Sequence, residues 1–284
     1  MKILIIGGSR FVGPYVIDLL VKHGHEVTVF NRGTKEVKYP DSVTHVKGDR
    51  DKGFNLNQKF DVVIDMCAYI GKQVQQVIDQ LKFGFLVHFG SIASYSATQV
   101  FPITEDFPLG NLPSTDNYGI GKSDCEKALQ ESGVKYATLR PAYVLGPENY
   151  CDRENFIYTK IFNKEPIMIP GNGQALNQFV FADEVANALV LLAEKKTEGA
   201  FNCVGNEYIT LTGLVEMMGK VVGIEPVIKY NSLADGASFI ESEFPFTNEN
   251  WISSNDKIKE LGINFVPLYE GLKRDYESYY KSHI

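Results

Sequence analysis

The chain begins Met1-Lys2-Ile3-Leu4-Ile5-Ile6 and runs directly into Gly7-Gly8-Ser9-Arg10-Phe11-Val12-Gly13, after which apolar residues recur at helical spacing as far as Val21 and stop before Gly24. A short apolar strand, a glycine-rich turn and an amphipathic helix in that order leave few choices of fold. The turn is tight, its backbone can approach a partner closely, and the helix that follows presents its first N–H groups and the positive end of its dipole there. These properties suit a bound pyrophosphate and point to a dinucleotide-binding βα unit at the head of a parallel sheet. For the glycines alone a structural turn is the alternative. Their place between strand and helix favours the ligand.

The same alternation continues, with strand-like segments at 26–30, 61–67, 85–89 and 136–139 and helix-like segments at 70–81 and 116–131. The second of these helices is entered through Ser114-Thr115-Asp116 and stopped at Gly133. Such a pattern predicts an α/β protein, a Rossmann doubly wound parallel sheet with a smaller C-terminal substrate-binding lobe. Residues 1–150 are the expected cofactor-binding domain and 151–284 mainly the substrate lobe, with segments near 179–205 returning to the first domain. Beyond 150 the reading is less regular: polar, turn-rich stretches at 150–155 and 170–173, helices at 183–194 and 211–222, a short strand at 201–205, and an aromatic-rich tail at 269–280 spaced as an amphipathic helix.

Composition excludes several classes. A formal charge of −7 gives little attraction for a polyanionic backbone, so nucleic acid is not an expected partner. The four cysteines, Cys67, Cys125, Cys151 and Cys203, are widely spaced and form no Cys-x-x-Cys pair, which argues against a disulfide framework and against zinc; no metal site is expected. Cys67 and Cys125 read as small packed side chains, and His88 as a core histidine. No apolar run reaches the roughly 18 residues that a membrane span needs, and no signal segment precedes the first strand, so a cytoplasmic protein is expected.

Three further residues carry chemistry. Ser91 closes a buried strand, at the edge where open parallel sheets place ligands. Tyr118 and Lys122 stand four apart, on one face of a helix, so the ammonium can lie beside the phenol and favour its ionised form. That makes Tyr118 a candidate general acid or base. The second strand ends Val29-Phe30-Asn31-Arg32-Gly33, where an acidic residue would bind a ribose diol. Asn31 does not repel a 2′-phosphate, while Arg32 and Arg10 can hydrogen-bond one, so NADP is expected, with NAD as the alternative. Arg32 also fits a solvated loop residue, and Asp49 at the end of the third strand fits either an adenine contact or an ordinary turn aspartate.

Taken together, these residues resemble the extended short-chain dehydrogenase/reductase family, the nucleotide-sugar epimerase and dehydratase group. The resemblance runs through nearly the whole chain: the glycine turn, Ser91, Tyr118-x-x-x-Lys122, Leu139-Arg140-Pro141 with Leu145-Gly146-Pro147, Phe179-Val180-Phe181-Ala182-Asp183-Glu184-Val185-Ala186, Phe201-Asn202-Cys203-Val204-Gly205 and Asn255-Asp256-Lys257-Ile258-Lys259-Glu260-Leu261-Gly262. It implies that Ser91 positions a substrate oxygen, that Tyr118 transfers a proton, and that Lys122 lowers the tyrosine pKa and binds the nicotinamide ribose. The cofactor positions it implies are Gly7, Gly8, Ser9, Arg10, Phe11, Val12, Gly13, Asn31, Arg32, Asp49, Arg50, Cys67, Ala68, Lys122 and Pro141; the substrate positions are Ser91, Tyr118, Arg153 and Asn177. Family dehydratases carry Thr-Asp-Glu where this chain has Ser91-Ile92-Ala93, and no extra cysteine or histidine follows Ser91, so dehydration and epimerisation beside a keto group are not expected. An arginine that commonly grips the substrate diphosphate is replaced by Asn177, leaving Arg153 and Arg274 as candidates. The expected activity is a 4-epimerase-like reaction on a nucleotide sugar; an NADPH-dependent carbonyl reductase is the alternative. The Gly-Gly-Ser-Arg-Phe turn also resembles chloroplast RNA-binding relatives, which sets a non-enzymatic alternative. The helices at 70–81 and 116–131 form a dimer interface in this family, so a homodimer is expected.

Overall fold

In the computed structural model, which describes residues 1–110 and 116–284, the opening apolar run forms strand β1 (Lys2–Ile6), followed by α1 (Val12–Lys22), β2 (Glu26–Asn31), β3 (Val43–Lys47), β4 (Lys59–Asp65), α2 (Gly71–Gln80) and β5 (Lys82–Phe89). Then come α3 (Asp116–Ser132), β6 (Tyr136–Pro141), β7 (Tyr143–Leu145), α4 (Arg153–Phe162), β8 (Pro166–Pro170), β9 (Leu176–Phe181), α5 (Ala182–Lys195) and β10 (Gly199–Cys203). The chain ends with β11 (Tyr208–Thr210), α6 (Leu211–Val222), β12 (Val227–Asn231), α7 (Asp256–Glu260) and α8 (Leu268–Ser278). Ser114 and Thr115, the expected entry to α3, lie outside the described residues.

Seven strands form one sheet in the order β10-β6-β5-β4-β1-β2-β3, every pair parallel. The order runs outward in two directions from β1 and β4, which creates a crevice beyond the carboxyl ends of those strands. Both faces of the sheet are covered, and β1 shows why. Its side chains alternate, so Ile3 and Ile5 join Val16, Ile17 and Leu20 of α1 and Leu189 of α5 on one face. Leu4 and Ile6 join Val74 and Val77 of α2 and Leu129 of α3 on the other. Each such side chain contributes roughly 1.5–3 kcal/mol by leaving water.

A second core lies outside this sheet. Ile157 and Ile161 of α4, Leu214 and Met218 of α6, and Leu272 of α8 pack with Phe244 and Phe246. A three-stranded sheet in the order β11-β9-β7 and a parallel pair β12-β8 complete this smaller lobe. The sequence reading leaves 150–155 in a polar turn, but α4 begins at Arg153. The polarity that masks the helix belongs partly to Glu154, which is buried: its carboxylate accepts from the Gly146 N–H and, at 2.7 Å, from Asn149 Nδ2. No helix among the described residues is long and apolar enough to cross a membrane.

Candidate active site

The turn after β1 carries its glycines for specific steric reasons. Gly7 and Gly8 have φ of +94° and +72°, and a Cβ at Gly13 would overlap the Gly8 carbonyl. Only a bare backbone lets α1 start this close to the turn. Phe11 also has positive φ, +53°, and no side chain caps α1 or places an acidic group in its first turn. The first N–H groups of an 11-residue helix therefore face the crevice with their partial positive charge uncompensated by side chains, which fits a dinucleotide's phosphates.

Around this cradle several side chains are fixed inside the protein. Asn31 donates to the Gly7 carbonyl at 3.1 Å and the Tyr39 hydroxyl at 2.9 Å, and its Oδ1 accepts from the Gly33 N–H at 2.9 Å. It braces the turn, while neighbouring Arg32 and Arg10 are exposed at the rim with Ser9 half-buried between turn and helix. Asp49 caps the short turn that follows it by accepting from the Asp51 N–H at 3.1 Å. Arg50 is turned inward, contrary to the cofactor-facing position expected for it. Its guanidinium holds both oxygens of buried Asp65 at 2.9 and 3.0 Å and the Gln73 carbonyl at 2.8 Å. Cys67 lies beneath Gly7, and burial pushes its thiol up to about 11, so it stays protonated. Ala68 and Pro141 are buried at the ends of the loop after β4 and of β6.

At the next strand end, Ser91 is almost wholly buried, with its Oγ accepting from the Ala93 N–H at 3.2 Å. Tyr118 stands in the first turn of α3 with its side chain 45% exposed, whereas Lys122, one turn on, is 2% exposed. The Lys122 ammonium donates to the Ala68 carbonyl at 2.8 Å and the Phe89 carbonyl at 2.7 Å. It also lies 5.8 Å from the centre of the Tyr118 ring and 5.0 Å from that of Tyr69. Two carbonyls and two aromatic faces are what make a buried ammonium tolerable. Gly121 permits this placement, since a Cβ there would collide with the Tyr69 carbonyl oxygen.

Beneath Ser91 runs a buried polar network. Ser94 Oγ donates to the Ser91 carbonyl at 2.8 Å and contacts Glu126, which pairs with Arg140 through Nε and Nη2. Arg140 donates to the Tyr95 hydroxyl at 2.6 Å, and that hydroxyl donates to Asn202 Oδ1 at 2.7 Å. The quoted family stretches thus include supports for the Ser91 turn. Elsewhere in those stretches Glu184 accepts from the Phe181 and Val266 N–H groups, and Asn255 donates to the Val204 carbonyl.

Aromatic side chains from several parts of the chain pair near this edge. Tyr150 meets Phe11 edge-on with ring centroids 6.1 Å apart, and Tyr69 and Tyr118 are 6.4 Å apart. Arg153 lies over the rings of Tyr143 and Phe246 at 5.1 and 5.8 Å. Arg274 instead pairs with Asp183 at 2.8 Å, and Asn177 is fully buried, its amide on the Ala175 carbonyl. The structure therefore sets Lys122 against Tyr118 and the Phe89 carbonyl, puts Ser91 and the glycine turn after strands of one parallel sheet, and holds Arg50 and Asn177 inside. The sequence reading does not single out Tyr69, Tyr150 or Glu126. The one signal for them is proximity in sequence to motif residues, which does not specify contact.

A doubly wound sheet with an uncapped glycine turn, a serine at a strand end and a tyrosine one helical turn before a buried lysine defines a nicotinamide-dependent enzyme of the extended short-chain dehydrogenase/reductase type. The chain belongs to the NAD dependent epimerase/dehydratase family, whose model matches residues 3–83 and 64–204. It is 29% identical to the chloroplast stem-loop binding protein of 41 kDa b of Arabidopsis thaliana, over 97% of this chain and 78% of that one. It is 28% identical to a UDP-glucose 4-epimerase of Lactobacillus helveticus, over 51% of this chain and 52% of the relative. A crystal structure of UDP-glucuronic acid 4-epimerase from Bacillus cereus in complex with NAD superposes with a TM-score of 0.81 at 18% identity, covering 99% of each chain, and shares the fold.

Proposed function

We propose that the chain is a 4-epimerase-like enzyme acting on a nucleotide sugar, with NADP as its preferred cofactor. The observation that carries this reading is buried Lys122, its ammonium 5.8 Å from the Tyr118 ring centre and 2.7 Å from the carbonyl of Phe89, two residues before Ser91. The α1 N-terminus and Gly7–Gly13 would hold the phosphates, Arg32 and Arg10 a 2′-phosphate, and Lys122 the nicotinamide ribose. A nicotinamide held there would supply a reversible hydride acceptor. Tyr118 takes the hydroxyl proton and returns it, Ser91 orients the oxygen, and Arg153 on its aromatic bed meets the diphosphate. Similarity to named UDP-sugar epimerases supports this substrate class.

Denaturing the purified protein and identifying any released nucleotide tests the reading. Stoichiometric NADP(H) or NAD(H) together with interconversion of UDP-glucose and its 4-epimer is the expected result; an empty protein that freely exchanges NADPH would point to a carbonyl reductase, the reading that the buried Asn177 favours. Tyr118→Phe should lower the rate about 10²–10⁴-fold, and unchanged turnover would refute its role as acid and base. Arg32→Ala should weaken NADPH binding at least tenfold with NADH unaffected, and an unaltered ratio of the two affinities would remove the assignment. The α2 and α3 face, with Ile70 and Ile120 exposed, is the proposed homodimer surface, and a monomeric mass in light scattering would exclude it. The similarity to a stem-loop binding protein motivates one control: tight retention of structured RNA on filters at moderate salt would favour the non-enzymatic reading.

A further inference from the structure

At the opposite end of the sheet from the crevice, α1 runs out into His23, Gly24 and His25 before β2 begins. Gly24, at φ +77°, turns the chain so that both imidazoles meet the last turn of α5. There Glu194 Oε1 stands 2.8 Å from His23 Nδ1 and 2.8 Å from His25 Nε2. The three ligand atoms all lie within 4.8 Å of one another. His23 is 42% exposed at its side chain, His25 12% and Glu194 29%, so the cluster is open to solvent on one side and supported on the other.

We propose that His23, His25 and Glu194 bind one divalent transition-metal ion of the zinc class. Two imidazoles and one carboxylate match the borderline ligand preference of such ions, whereas Mg²⁺ and Ca²⁺ prefer oxygen. Ligands about 2.0–2.2 Å from a tetrahedral zinc ion stand roughly 3.3 Å apart. The two pairs with Glu194 are about half an ångström closer and the two imidazole nitrogens lie within 4.8 Å of each other, so an ion would enter on a swing of the exposed His23 ring. Water takes the remaining position. The ion would clip the α1–β2 turn to the end of α5, two elements whose helices already pack together on one face of the sheet. It stands at the amino ends of the strands, so its role is structural and it takes no part in the chemistry at Ser91. This departs from the sequence-based expectation of no metal site, which rests on cysteine spacing and does not weigh the two histidines with Glu194.

The test uses the full chain, stripped with chelator, exchanged into buffer and titrated with ZnCl₂ by calorimetry. One saturable site of micromolar or tighter affinity is expected, weakened at least tenfold in His23→Ala and in Glu194→Gln and absent for MgCl₂. At a hundredfold excess over Kd, zinc should raise the melting temperature by about 5 °C in the wild-type protein and not in His23→Ala. His23 is exposed at 42% of its side chain and outside the core, so that variant should fold. Equal zinc binding by wild type and both variants would place the ion elsewhere, with exposed Cys151 the first position to check, and would overturn the proposal. Absence of saturable binding at 100-fold molar excess would overturn it equally.

Discussion

Gly121 is a residue whose value depends wholly on what lies opposite it. In isolation, alanine at a helix interior is better than glycine by about 1 kcal/mol. Here a Cβ would strike the Tyr69 carbonyl oxygen, which belongs to backbone and does not swing aside. Overpacking against fixed atoms costs about 1–3 kcal/mol, so the clash should outweigh the propensity gain. Gly121→Ala is expected to destabilise the fold by about 1–2 kcal/mol in denaturant titration and to reduce turnover at least tenfold, because it lifts Lys122 off the Ala68 and Phe89 carbonyls. A variant more stable than wild type would show that propensity decides here and that α3 seats against Tyr69 loosely. The four-residue spacing of Tyr118 and Lys122 is visible in the sequence, and both lie on α3. The reason for glycine between them is not, since it resides in a loop about fifty residues earlier in the chain.

Elements differ in how openly their pattern declares them. Strand β1 and helix α1 are readable because one buries both faces and the other a single stripe, so composition and periodicity report burial directly. Helix α4 escapes because its first turn is polar while the structure buries Glu154 against Gly146 and Asn149. Burial pushes that carboxyl up to about 7, against the pull of the Gly146 N–H and the Asn149 amide. The sign of the linkage follows. The unfolded chain releases this proton near pH 4.3–4.5 and the folded chain holds it to about 7, so folding takes up a proton across that window. Stability from this group therefore declines as pH rises from about 4.5 to 7 and is level above it, a fall of about 3 kcal/mol. Glu154→Gln should flatten this part of the pH profile, measured by urea unfolding between pH 5 and 8 relative to wild type. Parallel profiles for the two proteins would mean that Glu154 is ionised in the native state throughout.

At the scale of the molecule, a doubly wound parallel sheet with ligands at its strand ends was legible, because alternating strands and helices with right-handed crossovers admit few parallel sheets. The partners of individual charges were not. Arg50 and Arg32 both follow strand ends on the same rim, yet one closes on Asp65 inside the protein and the other is exposed. Sequence specifies where along the chain a guanidinium sits, whereas the choice between an internal carboxylate and an outside ligand is made by elements far away, here β4 and α2. Asn177 is similar: it occupies the motif position of a substrate arginine but is enclosed where β9 passes between β7 and β11.

Phe11 links the glycine turn to the loop between β7 and α4 by an aromatic contact. It holds a positive φ in the turn beside α1, and its ring meets Tyr150, in the loop between β7 and α4. Were one ligand to bind at the turn and another beside Tyr150, thermodynamic linkage would make any coupling through this contact reciprocal: whatever factor the first adds to the affinity of the second, the second adds to that of the first. Tyr150→Ala should reduce that mutual factor toward unity while leaving each ligand's solitary affinity within about threefold, as read by calorimetric titration of each in the absence and presence of the other. If the cooperativity survives the substitution, the two halves of the crevice communicate by another route, and Phe11 keeps its strained backbone for the turn alone.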